Sequence, residues 1–422
     1  MKIKYLPRIA DKVLDEILAA KGAVLIEGPK WCGKTMTAEQ RAKSVLLMQD
    51  PDSSANYLKT AYTKPSILLQ GETPRLIDEW QMAPVLWDAV RFAVDQRGEK
   101  GQFILTGSAV PIDGAIAHTG TGRIGRMKMR PMTLFESLES NGQISLAKLF
   151  EGEKDIEGIS TLTIEKLGYA LTRGGWPQAV LEENEKVALF HVYDYIEAVI
   201  NYDISKVDSV EKSPIKVRAI LRSLARNVST MANLSTIKKD IVAVEDSISE
   251  KTIASYINAL RRLMVVEDLP AWNPAMRSKT ALRTSPKRHF VDPSIATAAL
   301  RIKSEGLLAD FSTFGLLFES LCVRDLRIYS QILDGEVFHY RDKNELEADI
   351  VVHLRDGRWA AIEVKMGSKE IEEAAINLLK LKNSIDTNKM KEPTFLMVLT
   401  AGQYAYCRPD GVLVVPIGCL RN

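Results

Sequence analysis

Apolar residues fall into short runs and longer amphipathic stretches along this chain. In residues 1–140 the runs "GAVLIEG", "PSILLQ", "PRLIDEW" and "GQFILTGS" alternate with stretches at 35–43 and 84–95. Such runs, punctuated by Gly or Pro, predict strands, and the three- and four-residue steps between them predict helices. Strands alternating with helices predict a parallel sheet with crossovers. Residues 141–285 read as mostly helical, with "ALFHVYDYIEAVINYDI" and "IKVRAILRSLARNV" the clearest cases. There "ISEKTIASYINALRRL" predicts a helix to about Leu263, and "MVVEDLPAW" a following strand or wing, a winged-helix outline. Residues 286–422 change again: "TFGLLFESLCVRDLRIYS" and "SKEIEEAAINLLKLKN" predict helices, and "EVFHYRD", "EADIVVHL", "RWAAIEVK", "PTFLMVLT" and "GVLVVPI" predict strands. The expectation is an α/β protein with regions at 1–140, 141–285 and 286–422.

Composition narrows the class. The chain has 422 residues, 46% hydrophobic and 26% charged, with a net charge of +2. That length exceeds one ordinary core, and that charge excludes a uniformly basic nucleic-acid coat while allowing a local basic face. The four cysteines, Cys32, Cys322, Cys407 and Cys419, form no CxxC pair. A disulfide framework is therefore not expected, and a reducing cytoplasm is. None of the histidines pairs with another at metal-ligand spacing. In "MKIKYLPRIADKVLDEIL" the apolar residues keep helical spacing between charges, unlike a secretory leader. No run approaches the roughly 20 apolar residues of a membrane span.

Chemistry enters at "GPKWCGKT", Gly28 to Thr35, which satisfies G-x-x-x-x-G-K-[ST] between a predicted strand and a predicted helix. Gly28 and Gly33 permit the tight backbone that aims N–H groups at phosphates, with Pro29, Lys30, Trp31 and Cys32 completing the loop. Lys34 would reach the β- and γ-phosphates of ATP, and Thr35 would hold Mg²⁺. The helix start adds partial positive charge. "LIDEW" supplies the acids: Asp78 for Mg²⁺ through water, and Glu79 as the general base that polarises the attacking water. "FILTGSA" brings Thr106 and Ser108 to the sheet edge where ligands bind. "TGRIGRMKMRP" holds Arg123, Arg126 and Arg130, either a solvated basic loop or the source of an arginine finger for a neighbouring subunit.

The segments "YLPRIAD", "VLIEGPKWCGKT", "RLIDEWQ", "FILTGSA", "GRIGRMKMRPMTLFE", "GGWPQAV", "FVDPSIA", "LLFESL" and "AAIEVK" run in this order through nearly the whole chain. In these the chain resembles the prokaryotic AAA-type ATPases whose C-terminal half is a domain of unknown function. The resemblance implies an additional-strand P-loop ATPase domain, a winged-helix-like middle and a C-terminal fold related to PD-(D/E)xK restriction endonucleases. It further implies that Gly28, Lys30, Gly33, Lys34 and Thr35 bind nucleotide, that Asp78 and Glu79 are the metal and water pair, and that Arg126 is the arginine of the "GR" motif.

A nuclease core of that kind needs acids from a helix and two strands at one end of a sheet, with a lysine two residues after the last acid. Glu319 in "LLFESL", Asp349 in "EADIVV", then Glu363 and Lys365 in "AAIEVK" fit this pattern. The E-x-K spacing follows from the period of two along a strand, which puts both groups on one face. Glu319, Asp349 and Glu363 are thus a candidate second metal set, and Glu363 and Lys365 candidate catalytic residues; a retained fold whose charges pair with one another is the competing account. Three functions stay open. The first is a cytoplasmic ATPase, an expected homo-oligomer, acting on DNA through the nuclease-like region. The others are a nucleotide-gated DNA- or protein-binding module with an inactive nuclease fold, and an oligomeric ATPase with no nucleic-acid role.

Overall fold

The computed structural model describes residues 4–107, 119–207, 212–242, 248–273, 285–388 and 390–422. The chain divides into two units. The first comprises Met1–Pro131 and two later excursions, Tyr202–Glu211 and Ala259–Met264; the second comprises Met132–Asn201, Lys212–Asn258 and Val265–Asn422.

The first unit contains helices α1 (Ile9–Ala20), α2 (Lys34–Glu39), α3 (Ser54–Thr63) and α4 (Val85–Arg97). Its strands are β1 (Ala23–Glu27), β2 (Ser44–Leu47), β3 (Arg75–Asp78), β4 (Phe103–Gly107) and β5 (Ile124–Lys128). They form one parallel sheet in the order β2-β3-β4-β1-β5. A strand therefore intervenes between β1, which leads into the Gly-rich loop, and β3, which ends on Asp78. The central strands β1 and β4 are nearly continuous apolar runs buried along almost their whole length, as in a parallel sheet covered on both faces. Leu25, Ile77, Trp80, Trp87, Phe103 and Leu105 are buried in one core.

Three sequence expectations change here. The run "PSILLQ" is a 3-10 turn over Pro65–Ile67, not a strand. Pro65 cannot donate to a ladder, and the run is too short to recover the loss. The helix expected over 35–43 stops at Glu39, and an unpredicted strand, β2, follows. β2 is an edge strand with Val45 and Leu47 exposed, so it lacks the fully apolar signature of its neighbours. The arginine-rich stretch is a strand, β5, on the opposite edge.

In the second unit come β6 (Ile144–Ser145), α5 (Leu146–Glu151), β7 (Gly158–Ile159), α6 (Ile164–Arg173), α7 (Pro177–Leu181), α8 (Glu185–Ala198), α9 (Pro214–Arg226), α10 (Leu234–Val242) and α11 (Glu250–Arg262), whose end lies in the second excursion. After α11 the stretch expected as a wing forms isolated bridges among the described residues: Val266 with Phe290 and Leu269 with Lys287, both antiparallel, and Ala271 with His339, parallel. Then follow α12 (Ser294–Leu300), α13 (Ser304–Ala309), α14 (Phe311–Gln331), β8 (Gly335–Arg341), β9 (Glu347–Leu354), β10 (Trp359–Lys365), α15 (Ile371–Ser384), β11 (Phe395–Thr400), β12 (Tyr404–Cys407), β13 (Leu413–Pro416) and β14 (Leu420–Arg421). A seven-stranded mixed sheet runs β7-β12-β13-β11-β10-β9-β8. β8, β9 and β10 form an antiparallel meander, and β11 and β13 continue parallel to β10.

A buried charge network organises this unit. Arg324 on α14 bridges Asp292 at 2.8 Å and Asp325 at 2.7 Å, all three side chains at most 2% exposed. Asp292 also accepts from the amides of Gly175 and Ser294, and Asp325 from the amide of Leu134. A Cβ at Gly175 would overlap the Met132 backbone. "MRPMTLFE", "GGWPQAV" and "FVDPSIA" thus meet at one guanidinium, which accounts for these motifs by packing. Among the described residues no helix is long and apolar enough to cross a membrane.

Candidate functional site

The loop after β1 is shaped by its glycines. Gly33 has φ +100 at the start of α2, a left-handed backbone that favours glycine. At Gly28 a side chain would overlap the Met129 carbonyl oxygen. Lys34 is buried, its ammonium donating to the carbonyls of Gly28 at 2.9 Å and Pro29 at 2.8 Å. Cys32 is fully buried, whereas Trp31 is 50% exposed with φ +64, so Trp31 does not serve the core. Lys30 pairs with Asp203 at 2.6 Å.

Residues outside the motif hold the loop. Arg8 is buried and donates to the carbonyls of Cys32 at 2.9 Å and Arg130 at 2.8 Å. Tyr5 donates to Asp11 at 2.5 Å and lies 3.0 Å from the Thr37 hydroxyl on α2. Burial and the Asp11 carboxylate push the Tyr5 phenol above its usual range. "YLPRIAD" is therefore a strap across the loop and α2. Its spacing alone gave only an amphipathic helix, because its partners lie 24 to 122 residues away.

Asp78 gathers the polar centre. Its Oδ1 accepts from Thr35 at 2.8 Å and from Thr106 at 2.5 Å, and its Oδ2 from Gln49 at 2.7 Å. Parallel register aligns Asp78 with Thr106 across β3 and β4, so Thr106 reaches the carboxylate directly. Gln49 was not foreseen; it follows the unpredicted β2. Glu79 is half-buried with φ +54, and Gln81 donates to its carboxylate. Burial raises the Glu79 carboxyl above its usual range, and the neighbouring Asp78 adds to the shift. The hydroxyl of Thr35 and the carboxylate of Asp78 are hard oxygen donors of the kind Mg²⁺ takes beside substrate phosphates. The donor set therefore fits that ion.

Arg126 lies on β5, its guanidinium 3.1 Å from Glu27 and 5.2 Å from the Trp87 ring centroid. Arg123 pairs with Asp95 at 2.8 Å. Ser108 and His118 fall outside the described residues.

The E…D…ExK set does come together in the second unit. Glu319 projects from α14, Asp349 from β9, and Glu363 and Lys365 from β10. A fifth residue, Lys287, stands among them. Its ammonium lies 2.8 Å from Glu319 and 3.2 Å from Asp349, and its side chain is 8% exposed. Lys365 pairs with Glu363 at 3.1 Å, and Asp349 accepts from the Val364 amide at 2.9 Å. Burial pushes Glu319 and Glu363 each up to about 8, with the charge of Asp349 adding to both. Lys287, Lys365 and that amide outweigh burial and hold Asp349 low. Among the described residues no group of three or more His, Cys, Asp or Glu is arranged to hold a metal ion. The acids of the expected second metal set, Glu319, Asp349 and Glu363, do converge, with the Lys287 ammonium between Glu319 and Asp349 and Lys365 on Glu363. Nothing in the sequence near the acids signalled Lys287, since it precedes Glu319 and Asp349 by 32 and 62 residues.

Residues 20–138 match the AAA domain family. Residues 164–306 and 314–420 match two families described as domains of unknown function, DUF8612 and DUF4143. Two uncharacterized proteins, Rv2008c of Mycobacterium tuberculosis and Mb2031c of Mycobacterium bovis, are each 20% identical over 396 residues, 93% of this chain and 79% of theirs. Among solved structures, the Walker-type ATPase PABY2304 of Pyrococcus abyssi is 13% identical, with a TM-score of 0.42 over 71% of this chain and 100% of its own. The signal transduction ATPase PH0952 of Pyrococcus horikoshii, with a tetratricopeptide repeat sensor, is 15% identical, with a TM-score of 0.25 over 79% of this chain and 52% of its own. With the loop, Lys34 and Asp78 on one parallel sheet edge, residues 20–138 are an AAA-like ATPase domain.

Proposed function

We propose that this chain hydrolyses ATP with Mg²⁺ in its first unit and uses the nucleotide state to govern a binding function in its second. The observation that carries the first half is the Thr35–Asp78 contact of 2.8 Å beneath the Gly28–Thr35 loop. The loop amides bind the phosphates, and Lys34 exchanges its bonds to Gly28 and Pro29 for phosphate oxygens. Thr35 and Asp78 would hold Mg²⁺, which when bound would supply positive charge to the phosphates. Thr106 and Gln49 orient the Asp78 carboxylate. Glu79, raised by burial, accepts a proton from the attacking water, and Gln81 fixes its carboxylate. Arg126, with a side chain 48% exposed on edge strand β5, serves as the finger for a neighbouring copy. Phosphate release and fluorescent-nucleotide binding test this reading in magnesium buffer. Wild type should bind and turn over ATP, and Lys34→Ala should do neither; a wild type that binds no nucleotide rejects it.

The second unit is read as an endonuclease-like fold whose centre is closed to metal chemistry. The order α14-β8-β9-β10-α15-β11, with acids on α14, β9 and β10, supports the fold. Lys287 between Glu319 and Asp349 supports the closure. A cavity of about 980 Å³ walled by α8, α9 and α12 supports an anionic partner, because Arg218, Arg222, Arg301 and Lys303 line it against one carboxylate, Glu197, which Arg218 pairs at 2.7 Å. DNA is the partner to test first. Salt-sensitive DNA binding without cleavage in Mg²⁺ or Mn²⁺ is expected. Metal-dependent cleavage that Glu363→Gln abolishes would restore the nuclease reading, and no binding at any salt would leave an oligomeric ATPase.

A further inference from the structure

Lys30 is the third residue of the phosphate loop, and it is already engaged. Its ammonium lies 2.6 Å from a carboxylate oxygen of Asp203, 173 residues later. The Lys30 side chain is 43% exposed, whereas that of Asp203 is 7% exposed. Asp203 closes a π-helical turn, Val199–Asp203, at the end of α8. Such turns are rare and often mark functional places in a helix. The chain on either side belongs to the second unit, but Tyr202–Glu211 belongs to the first. The π turn is thus where the backbone passes from one unit to the other, and Asp203 is the excursion's tie to the phosphate loop.

A triphosphate seated on this loop brings several anionic oxygens to the cations around it. Lys30 has a long, flexible stem and cannot serve both Asp203 and a phosphate fully. Among the described residues Lys30 is also the side-chain partner that Asp203 has. A buried carboxylate that loses its cation is strongly destabilised where it stands. Asp203 must then move toward water.

We propose that Asp203 is a built-in competitor of the nucleotide: it pairs with Lys30, and triphosphate binding takes Lys30 and releases Asp203. This rests on the ATP-binding reading above and adds its regulation. Asp203 is a positioning residue, acting on nucleotide through Lys30. Reciprocity fixes the sign: if nucleotide weakens the Lys30–Asp203 pair, removing Asp203 strengthens nucleotide binding.

The test is a double-mutant cycle on the full chain, titrated with a fluorescent ATP analogue and Mg²⁺. Asp203→Asn should tighten binding by about fivefold or more, within the usual range of such couplings. Lys30→Met should weaken it, and in the Lys30→Met background Asp203→Asn should change nothing. Asp203→Glu, which restores the anion, should return affinity toward wild type. A merely structural Asp203 gives a different pattern, in which Asp203→Asn weakens binding with or without Lys30. That result, or an unchanged affinity in Asp203→Asn, overturns the latch while leaving ATP binding intact. Failure of wild type to bind the analogue, equal to Lys34→Ala, rejects the ATP reading itself. Thermal melting of each variant checks that it is folded, and Asp203→Glu keeps the test open if Asp203→Asn is not.

Discussion

Glu79 sits at φ +54, where a residue with a Cβ costs about 1–3 kcal/mol relative to an ordinary conformation. Strain at a half-buried carboxylate beside Asp78 implies that something other than stability keeps it there. Glu79→Gln should leave nucleotide affinity near wild type and lower ATP turnover by about 10²–10⁴-fold, the range lost with a general base. Equal turnover in Glu79→Gln, measured by phosphate release, would remove the residue from the chemistry. Lys287 makes the opposite case. Its value lies in cancelling buried acids, so Lys287→Met should destabilise the second unit by about 3–5 kcal/mol at pH 8. The loss should shrink at pH 5, where Glu319 already carries a proton and Lys287 offsets the Asp349 charge alone. Urea unfolding at both pH values decides this; an equal loss at both would mean the acids do not respond to the lysine. The place of Glu79 just after β3, beside Asp78, was legible because its motif is contiguous. Lys287, Gln49, Arg8 and Asp203 were not, because each reaches its partner across 24 or more residues and no local pattern records that distance.

At the scale of elements, fully buried strands and long amphipathic helices were legible. The central strands β1, β3 and β4, and the helices α4, α14 and α15, follow from periodicity because burial on one or both faces leaves an apolar record. The edge strands β2 and β5 left none: each faces solvent along part of its length, and β5 carries Arg126 and Lys128. The charged strand β10 was half legible. Period-two spacing put Glu363 and Lys365 on one face, and they pair there at 3.1 Å. What they face depends on α14 and β9, which bring Glu319 and Asp349 to the same sheet end. Glu319 and Glu363 titrate near 8 in the folded chain against an ordinary 4.5. A carboxyl with a raised folded pKa binds protons that the unfolded chain has released, so its stabilising contribution is full below about 4.5 and is lost as pH rises through about 8. Asp349, held low, contributes the reverse only in the acid range outside that window. Stability of the second unit should therefore fall between pH 5 and 8, and Glu319→Gln combined with Glu363→Gln should flatten the decline. Urea midpoints across that range check it; an unchanged slope in the double variant would show that other groups set it.

Over the whole molecule the motifs sort by the unit they serve. "GPKWCGKT", "LIDEW" and "YLPRIAD" build one nucleotide edge, while "GGWPQAV", "FVDPSIA" and the "MTLFE" part of "MRPMTLFE" close around the Arg324 ion network. Their placement in two units supports two separate tasks. ATP turnover should then be indifferent to the E-x-K cluster. Glu363→Gln and Lys365→Met should each keep turnover within about twofold of wild type, a difference of roughly 0.4 kcal/mol in barrier, whereas Lys34→Ala abolishes it. Arg324→Met should differ from both: breaking a fully buried ion network costs about 3–5 kcal/mol, so it should lower the unfolding midpoint of the chain before it changes the nucleotide site. Assays of turnover and urea unfolding on the same four proteins separate these outcomes. If Glu363→Gln removes ATP turnover in a folded chain, the second-unit cluster takes part in hydrolysis and the division of labour is wrong.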